Sequence, residues 1–158
     1  MIRRFSKMEV KLKKATFSDI DLLVSFQYEL AKETENLLLD KKILKQGISN
    51  LLEDDAKGMY WVAEIESQKI GCVMIQKEWS DWRNGTVFWI HSVYVDKIYR
   101  KKGVFRSMYS FFQEMVRNDN SLKGLRLYVD KTNKNAIKTY AAMGMSREHY
   151  DLYEWMAD

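Results

Sequence analysis

Arg100, Lys101 and Lys102 stand side by side in front of Gly103, with Lys97 upstream and Arg106 downstream. They belong to the stretch YRKKGVF, which follows the strand-like run IHSVYV. Where a strand hands over to a helix, the first helical turn leaves backbone N–H groups unpaired, and their combined dipole favours an anion. Gly103 lets the backbone approach closely. The side chains of Arg100, Lys101, Lys102 and Arg106 supply charge to neutralise a pyrophosphate. A solvated basic helix start with a chance glycine would look the same in isolation, and a single-glycine loop does not separate the two readings.

The elements around this loop must hold it in place. EVKLKKA alternates Val10 and Leu12 against lysines, as a half-buried strand does. Ser18 is a helix cap for a first helix in which Ile20, Leu23, Phe26 and Leu30 recur at helical spacing. A second helix is expected from Leu39 to Leu52. YWVAEIES and KIGCVMIQKEW read as strands, and Asn84-Gly85 is placed where a tight hairpin needs positive φ before the strand TVFWIHSVYV. From Lys102 onward Val104, Met108, Phe112 and Met115 share one helical face until NDNSLKG. GLRLYVD is a further strand. NKNAIKTYAAMGM is a short helix starting at Asn133 or Asn135 with Gly144 as its C-terminal cap, and SREHYDLYEWM reads as a last strand.

Composition narrows the function classes. A chain of 158 residues, 46% hydrophobic, suits one core, so residues 1–158 are expected to form a single domain, with residues 1–7 either a flexible N-terminal extension or, given Met8, a stretch ahead of an alternative start. The formal charge of +4 favours anionic partners. The cations concentrate in one loop while 22 acidic residues are distributed along the chain, so no basic stripe for nucleic acid emerges. Cys72 is the one cysteine, which rules out an intrachain disulfide and a zinc site of several thiolates; no metal is expected. MIRRFSK runs into polar sequence, and no stretch has membrane-spanning length, so the expected location is the cytoplasm, with no membrane partner.

Arg100 and Gly103 after a strand, followed by Asn133, Ala136, Tyr140 and Gly144 in a helix after a second strand, resemble the two acyl-coenzyme A motifs of the GNAT superfamily of N-acetyltransferases. The first is similar to that family's Arg/Gln-x-x-Gly-x-Gly/Ala pyrophosphate loop, with Phe105 at the third small position. The second is similar to its Asn-x-x-Ala-x-x-x-Tyr-x-x-x-Gly-Phe helix, with Met145 for Phe. The resemblance covers nearly the whole chain. A ring at 105 would obstruct a diphosphate if it pointed there, but a helix start keeps its N–H available whatever the side chain, so Phe105 is expected to turn toward the core.

The resemblance implies an α/β (α+β) GNAT fold: a central mixed, mostly antiparallel, splayed sheet of about six to seven strands flanked by about four helices. It implies acetyl-CoA as co-substrate, its pantetheine arm lying along the backbone edge Val93, Tyr94 and Val95, with a backbone N–H near Val93 or Tyr94 stabilising the oxyanion. Tyr140 is then the acid toward the departing thiol, and Asn133 and Ala136 belong to the cofactor side.

An amine acceptor of pKa about 10.4 needs a base, since freeing its lone pair at neutral pH costs on the order of 4 kcal/mol. The strand TVFWIHSVYV has no carboxylate; His91, two residues before Val93 and on the same strand face, suits proton relay, and a hydrogen-bonded histidine in a pleat is an equal alternative. Glu33 and Glu35 are further candidates for base or counter-charge. Trp89 could wall the acceptor pocket, although cross-strand packing of Trp79, Trp82 and Trp89 is the commoner arrangement. Tyr150, Tyr153 and Trp155 either pack as a strand or join a homodimer, which is plausible by resemblance. The expected activity is acetyl transfer from acetyl-CoA to a primary amine by direct attack in a ternary complex; the alternative is a non-catalytic acyl-CoA sensor or scaffold.

Overall fold

A computed structural model describes residues 8–157. The expectation of an extension at residues 1–7 falls outside the described residues. The chain divides into two compact units, the first running to Tyr128 and the second beginning at Val129. No helix among the described residues is long and apolar enough to cross a membrane.

The first unit carries one five-stranded sheet in the order β1-β2-β3-β4-β5. The strands are β1 (Lys11–Lys14), β2 (Met59–Ile65), β3 (Gln68–Ser80), β4 (Gly85–Val95) and β5 (Leu122–Leu127). β1 to β4 pair antiparallel, and β4 pairs with β5 in parallel. The helices are α1 (Ile20–Glu35), α2 (Lys41–Leu52) and α3 (Val104–Asn118) in this unit, and α4 (Lys134–Ala142) in the second. The mixed α/β fold and its four helices match expectation, with five strands in place of six to seven. The last expected strand does not form: the described residues after Gly144 have no regular secondary structure, and Tyr150, Tyr153 and Trp155 are exposed. Strand-like alternation becomes a strand only when a neighbouring edge completes its hydrogen bonds.

Several boundaries move for local reasons. Ser18 lies inside a 3-10 turn, and the chain enters α1 through a capping box in which the Thr16 N–H donates to Asp19 Oδ2 at 2.9 Å. Asp40 caps α2, accepting from the N–H of Lys42 at 2.8 Å. The tight two-residue turn of the sheet is Glu66-Ser67, both in the left-handed region at φ 49° and 67°. At the β3–β4 hairpin only Asn84 adopts positive φ, 47°. Gly85 is needed there for closeness: a Cβ on it would stand 2.6 Å from the Ser121 carbonyl oxygen, next to the bond from Thr86 N–H to that carbonyl.

Register assigns the two faces of the sheet. Tyr60, Val62, Cys72 and Tyr94 lie on one, packed with Leu23, Val24 and Phe26 of α1 and Ile48 of α2, and the Phe26 and Tyr94 rings stack at 5.0 Å. Trp61 lies on the other, against Phe111 and Phe112 of α3 at 5.1 and 5.9 Å. Val104, Met108 and Phe112 recur every four residues, and all three are buried. Burial of each such side chain contributes roughly 1.5–3 kcal/mol, which fixes α3, and the loop that starts it, on the sheet.

Candidate active site

The ladder between β4 and β5 runs from Thr86–Leu122 to Ile90–Leu127 and stops there, while β4 continues to Val95 bonded to β3. The two strands part company at this point. Residues 91–95 therefore keep one row of backbone groups outside the β4–β5 ladder, and Val93, Tyr94 and Val95 fall within it.

Within that row, β4 bulges. Met74 stands opposite His91 and Cys72 opposite Tyr94, so Ser92 and Val93 together oppose Val73 alone, and Ser92 sits at φ +51°. A non-glycine residue in that region is held there by its surroundings. Gln27, 7% exposed on α1, donates from Nε2 to the Ser92 carbonyl at 3.0 Å and to Cys72 Sγ at 3.3 Å. Tyr60, whose phenol burial pushes up, also hydrogen-bonds Ser92. Burial drives the Cys72 thiol up to about 12, which makes it a poor nucleophile at neutral pH.

Beyond Val95 the basic loop is braced from inside. Asp96 accepts from the Ile98 N–H in a short 3-10 turn. Arg100 donates from Nε to the Val95 carbonyl at 2.7 Å and from Nη2 to Glu33 at 2.8 Å, and its guanidinium lies 5.4 Å from the Tyr94 ring. Lys97 reaches the other Glu33 oxygen at 3.1 Å. Burial pushes the Glu33 carboxyl up, but the bonds from Lys97 and Arg100 outweigh it and leave it below the usual range. Arg100 and Glu33, read from the sequence as a cofactor ligand and an acceptor contact, thus meet each other.

Lys101, Lys102, Gly103 and Arg106 are exposed. Gly103, at φ +81°, is the N-cap of α3, and a Cβ there would meet nothing within 4 Å, so glycine is favoured by the backbone angle and the space beside the helix start is open. Phe105 is half-buried with its ring 6.4 Å from Tyr109.

His91 and Trp89 share a sheet face with Met74 and Gln76. Burial lowers the His91 pKa below its ordinary 6.5, so the imidazole is neutral at pH 7. Trp89 Nε1 donates to Glu78, which also holds Arg126 at 3.1 Å, and Tyr128 lies over Trp89 at 4.5 Å. The bond from Trp89, opposed by burial and reinforced by Arg126, leaves the Glu78 carboxyl below its usual range. Glu35 ends α1 and is exposed.

In the second unit Asn133 caps α4, its Oδ1 accepting from the Ala136 N–H at 3.1 Å, and Gly144 follows the helix at φ +87°. Tyr140 is half-buried on α4, and burial raises its phenol pKa. No group of three or more His, Cys, Asp or Glu side chains that could hold a metal ion occurs among the described residues.

Sequence reasoning passed over Gln27, Glu78, Ser92, Arg126 and Tyr128. Gln27 carried a signal: it stands four residues after Leu23, so a polar side chain occupies the buried stripe of α1. The bulge at Ser92 carried none, because its cause lies in another element.

A parted strand pair beside a glycine-started helix is the arrangement that the sequence resemblance implies, and comparison with known proteins shows the family. The family model described as acetyltransferase (GNAT) family matches residues 21–145. A possible acetyltransferase from Clostridium difficile 630 is 40% identical, with a TM-score of 0.88 over 94% of this chain and 98% of that one. A predicted acetyltransferase from Clostridium acetobutylicum, solved with acetyl-CoA, is 23% identical, with a TM-score of 0.66 over 94% and 95%. The ribosomal-protein-alanine N-acetyltransferase of Brucella melitensis biovar Abortus 2308 is 14% identical, with a TM-score of 0.75 over 94% and 100%, a likeness of fold. A search of curated proteins finds no match to the chain. The chain belongs to the GNAT acetyltransferase family.

Proposed function

We propose that this protein transfers the acetyl group of acetyl-CoA to a primary amine by direct attack in a ternary complex, residues 1–158 acting as one acetyltransferase domain. The observation that carries the reading is the backbone row Val93–Val95, outside the β4–β5 ladder and followed, through a 3-10 turn and the basic loop, by the open N-terminus of α3. An extended pantetheine arm has amides to pair with such a row, and a pyrophosphate suits the helix start, with Lys101, Lys102 and Arg106 as counter-charge.

In the reaction the amine nitrogen attacks the thioester carbonyl carbon. A backbone N–H near Val93 or Tyr94 stabilises the oxyanion. The C–S bond then breaks with its electron pair on sulfur. His91, neutral at pH 7, takes the proton lost by the amine, directly or through water. Tyr140 donates a hydrogen bond to the departing sulfur, which lowers the barrier, and the thiolate takes its proton from water, a role for Tyr140 that rests on the family motif from Asn133 to Gly144. Cys72, with its thiol pushed up to about 12, offers no covalent route.

The test is release of free thiol from acetyl-CoA against a panel of amines, with coenzyme A binding followed by calorimetry. Amine-dependent thiol release supports transfer; binding without release for every amine makes the protein an acyl-CoA sensor.

A further inference from the structure

We infer that Trp89, His91 and Tyr128 form the acceptor subsite, and that it selects a monoamine with a flat aromatic body over a polyamine. This rests on the acetyl-transfer reading above and deepens it. The three rings form one continuous slab on the sheet face shared with Met74 and Gln76. Centroid distances are 4.5 Å for Trp89–Tyr128, 5.7 Å for His91–Tyr128 and 6.1 Å for Trp89–His91. Tyr128 is 51% exposed, and Trp89 and His91 are half-buried, so the slab is partly open to solvent. Rings of this kind accept another ring in offset or tilted contact.

Charge at the border decides between acceptors. A polyamine requires an unmatched carboxylate for its second ammonium. Both oxygens of Glu78 lie 3.1 Å from Arg126 Nη1, and Glu78 also accepts from Trp89 Nε1. Arg126 places its guanidinium 5.8 Å from the Trp89 ring, so that aromatic face already holds a cation. Glu33 is matched by Lys97 and Arg100. A second positive centre on the acceptor would meet Arg126 and neither of these carboxylates unmatched, whereas an uncharged ring stacks without that repulsion. His91 belongs to the slab itself, so an amine on a short chain from a stacked ring reaches the imidazole.

The experiment compares 2-phenylethylamine with spermidine. Thiol release gives kcat/KM for each, and calorimetry measures 2-phenylethylamine binding to the coenzyme A-loaded protein. Wild type is expected to favour 2-phenylethylamine by about two- to tenfold, the worth of one aromatic contact. Tyr128→Ala raises its KM about tenfold with the acetyl-CoA KM unchanged, and Tyr128→Phe restores it. Arg126→Gln, which releases Glu78, shifts preference toward spermidine, a change that mere loss of packing would not produce. Tyr128-dependent binding with no turnover of any amine would sink acetyl transfer while keeping the subsite. Turnover of 2-phenylethylamine unaffected by Tyr128→Ala, a wild-type preference for spermidine, or absence of both 2-phenylethylamine binding and turnover overturns the subsite.

Discussion

Gln27 Nε2 donates to the carbonyl of Ser92 at 3.0 Å, joining the buried face of α1 to the one residue of β4 in the left-handed region. That bond holds the bulge of Ser92 and Val93, after which Tyr94 and Val95 continue, so a helix residue shapes a strand edge 65 positions away. Gln27→Leu removes this donor from a part-buried carbonyl and is expected to cost about 0.5–1.5 kcal/mol of stability. Urea unfolding measures it. If the bulge serves catalysis, kcat should fall more than acetyl-CoA affinity; an unchanged kcat would separate the bulge from the chemistry.

Arg100 and Lys101–Lys102 should separate cleanly. Arg100 is bonded to Val95 and Glu33, so Arg100→Ala is expected to lower the melting temperature as well as coenzyme A affinity. The double change Lys101→Ala, Lys102→Ala should weaken binding alone, with a shallower salt dependence. A double-mutant cycle of Arg100 with Glu33 should return roughly 0.2–1 kcal/mol, the range of solvent-exposed pairs. Equal thermal losses in both variants would argue against the internal role of Arg100.

Gly103→Asp puts a negative charge at the start of α3 in a backbone region that disfavours side chains. Coenzyme A binding is expected to weaken about tenfold or more, about 1.4 kcal/mol, before turnover of bound substrate suffers. Gly103→Ala separates the two causes, since it adds the backbone strain without the charge. Titration calorimetry on both variants reads the difference.

His91 titrates below 6.5 because burial disfavours its charged form. The folded state therefore binds this proton less readily than the unfolded chain. The sign follows: above pH 6.5 the group contributes nothing, and stability is lost as pH falls from there through the folded pKa. As the base, it should also give kcat an acidic limb with its midpoint below 6.5, absent in His91→Gln. A limb that survives in His91→Gln would assign the base elsewhere.

Tyr140 keeps its proton to higher pH than an exposed phenol. Tyr140→Phe is expected to reduce kcat about a hundredfold, the lower range for general acid catalysis, with coenzyme A affinity nearly unchanged. Single-turnover and binding measurements together test the split; a loss of affinity larger than the loss of rate would make Tyr140 a binding residue.

Periodicity and turn chemistry in the chain alone determined the four helices and the first five strands, because those signals act within a few residues. The charged loop at Arg100–Gly103 and the helix from Asn133 to Gly144 were legible for the same reason: a glycine at positive φ and an asparagine cap are local demands. Only the tertiary structure decided that Arg100 bonds Glu33, that Gln27 holds the Ser92 bulge, and that Trp89, His91 and Tyr128 share one slab. Each joins elements distant along the chain, and no local propensity encodes which buried donor will find which carbonyl. The tail after Gly144 shows the converse, since its strand-like pattern forms no strand where no ladder supplies the missing hydrogen bonds.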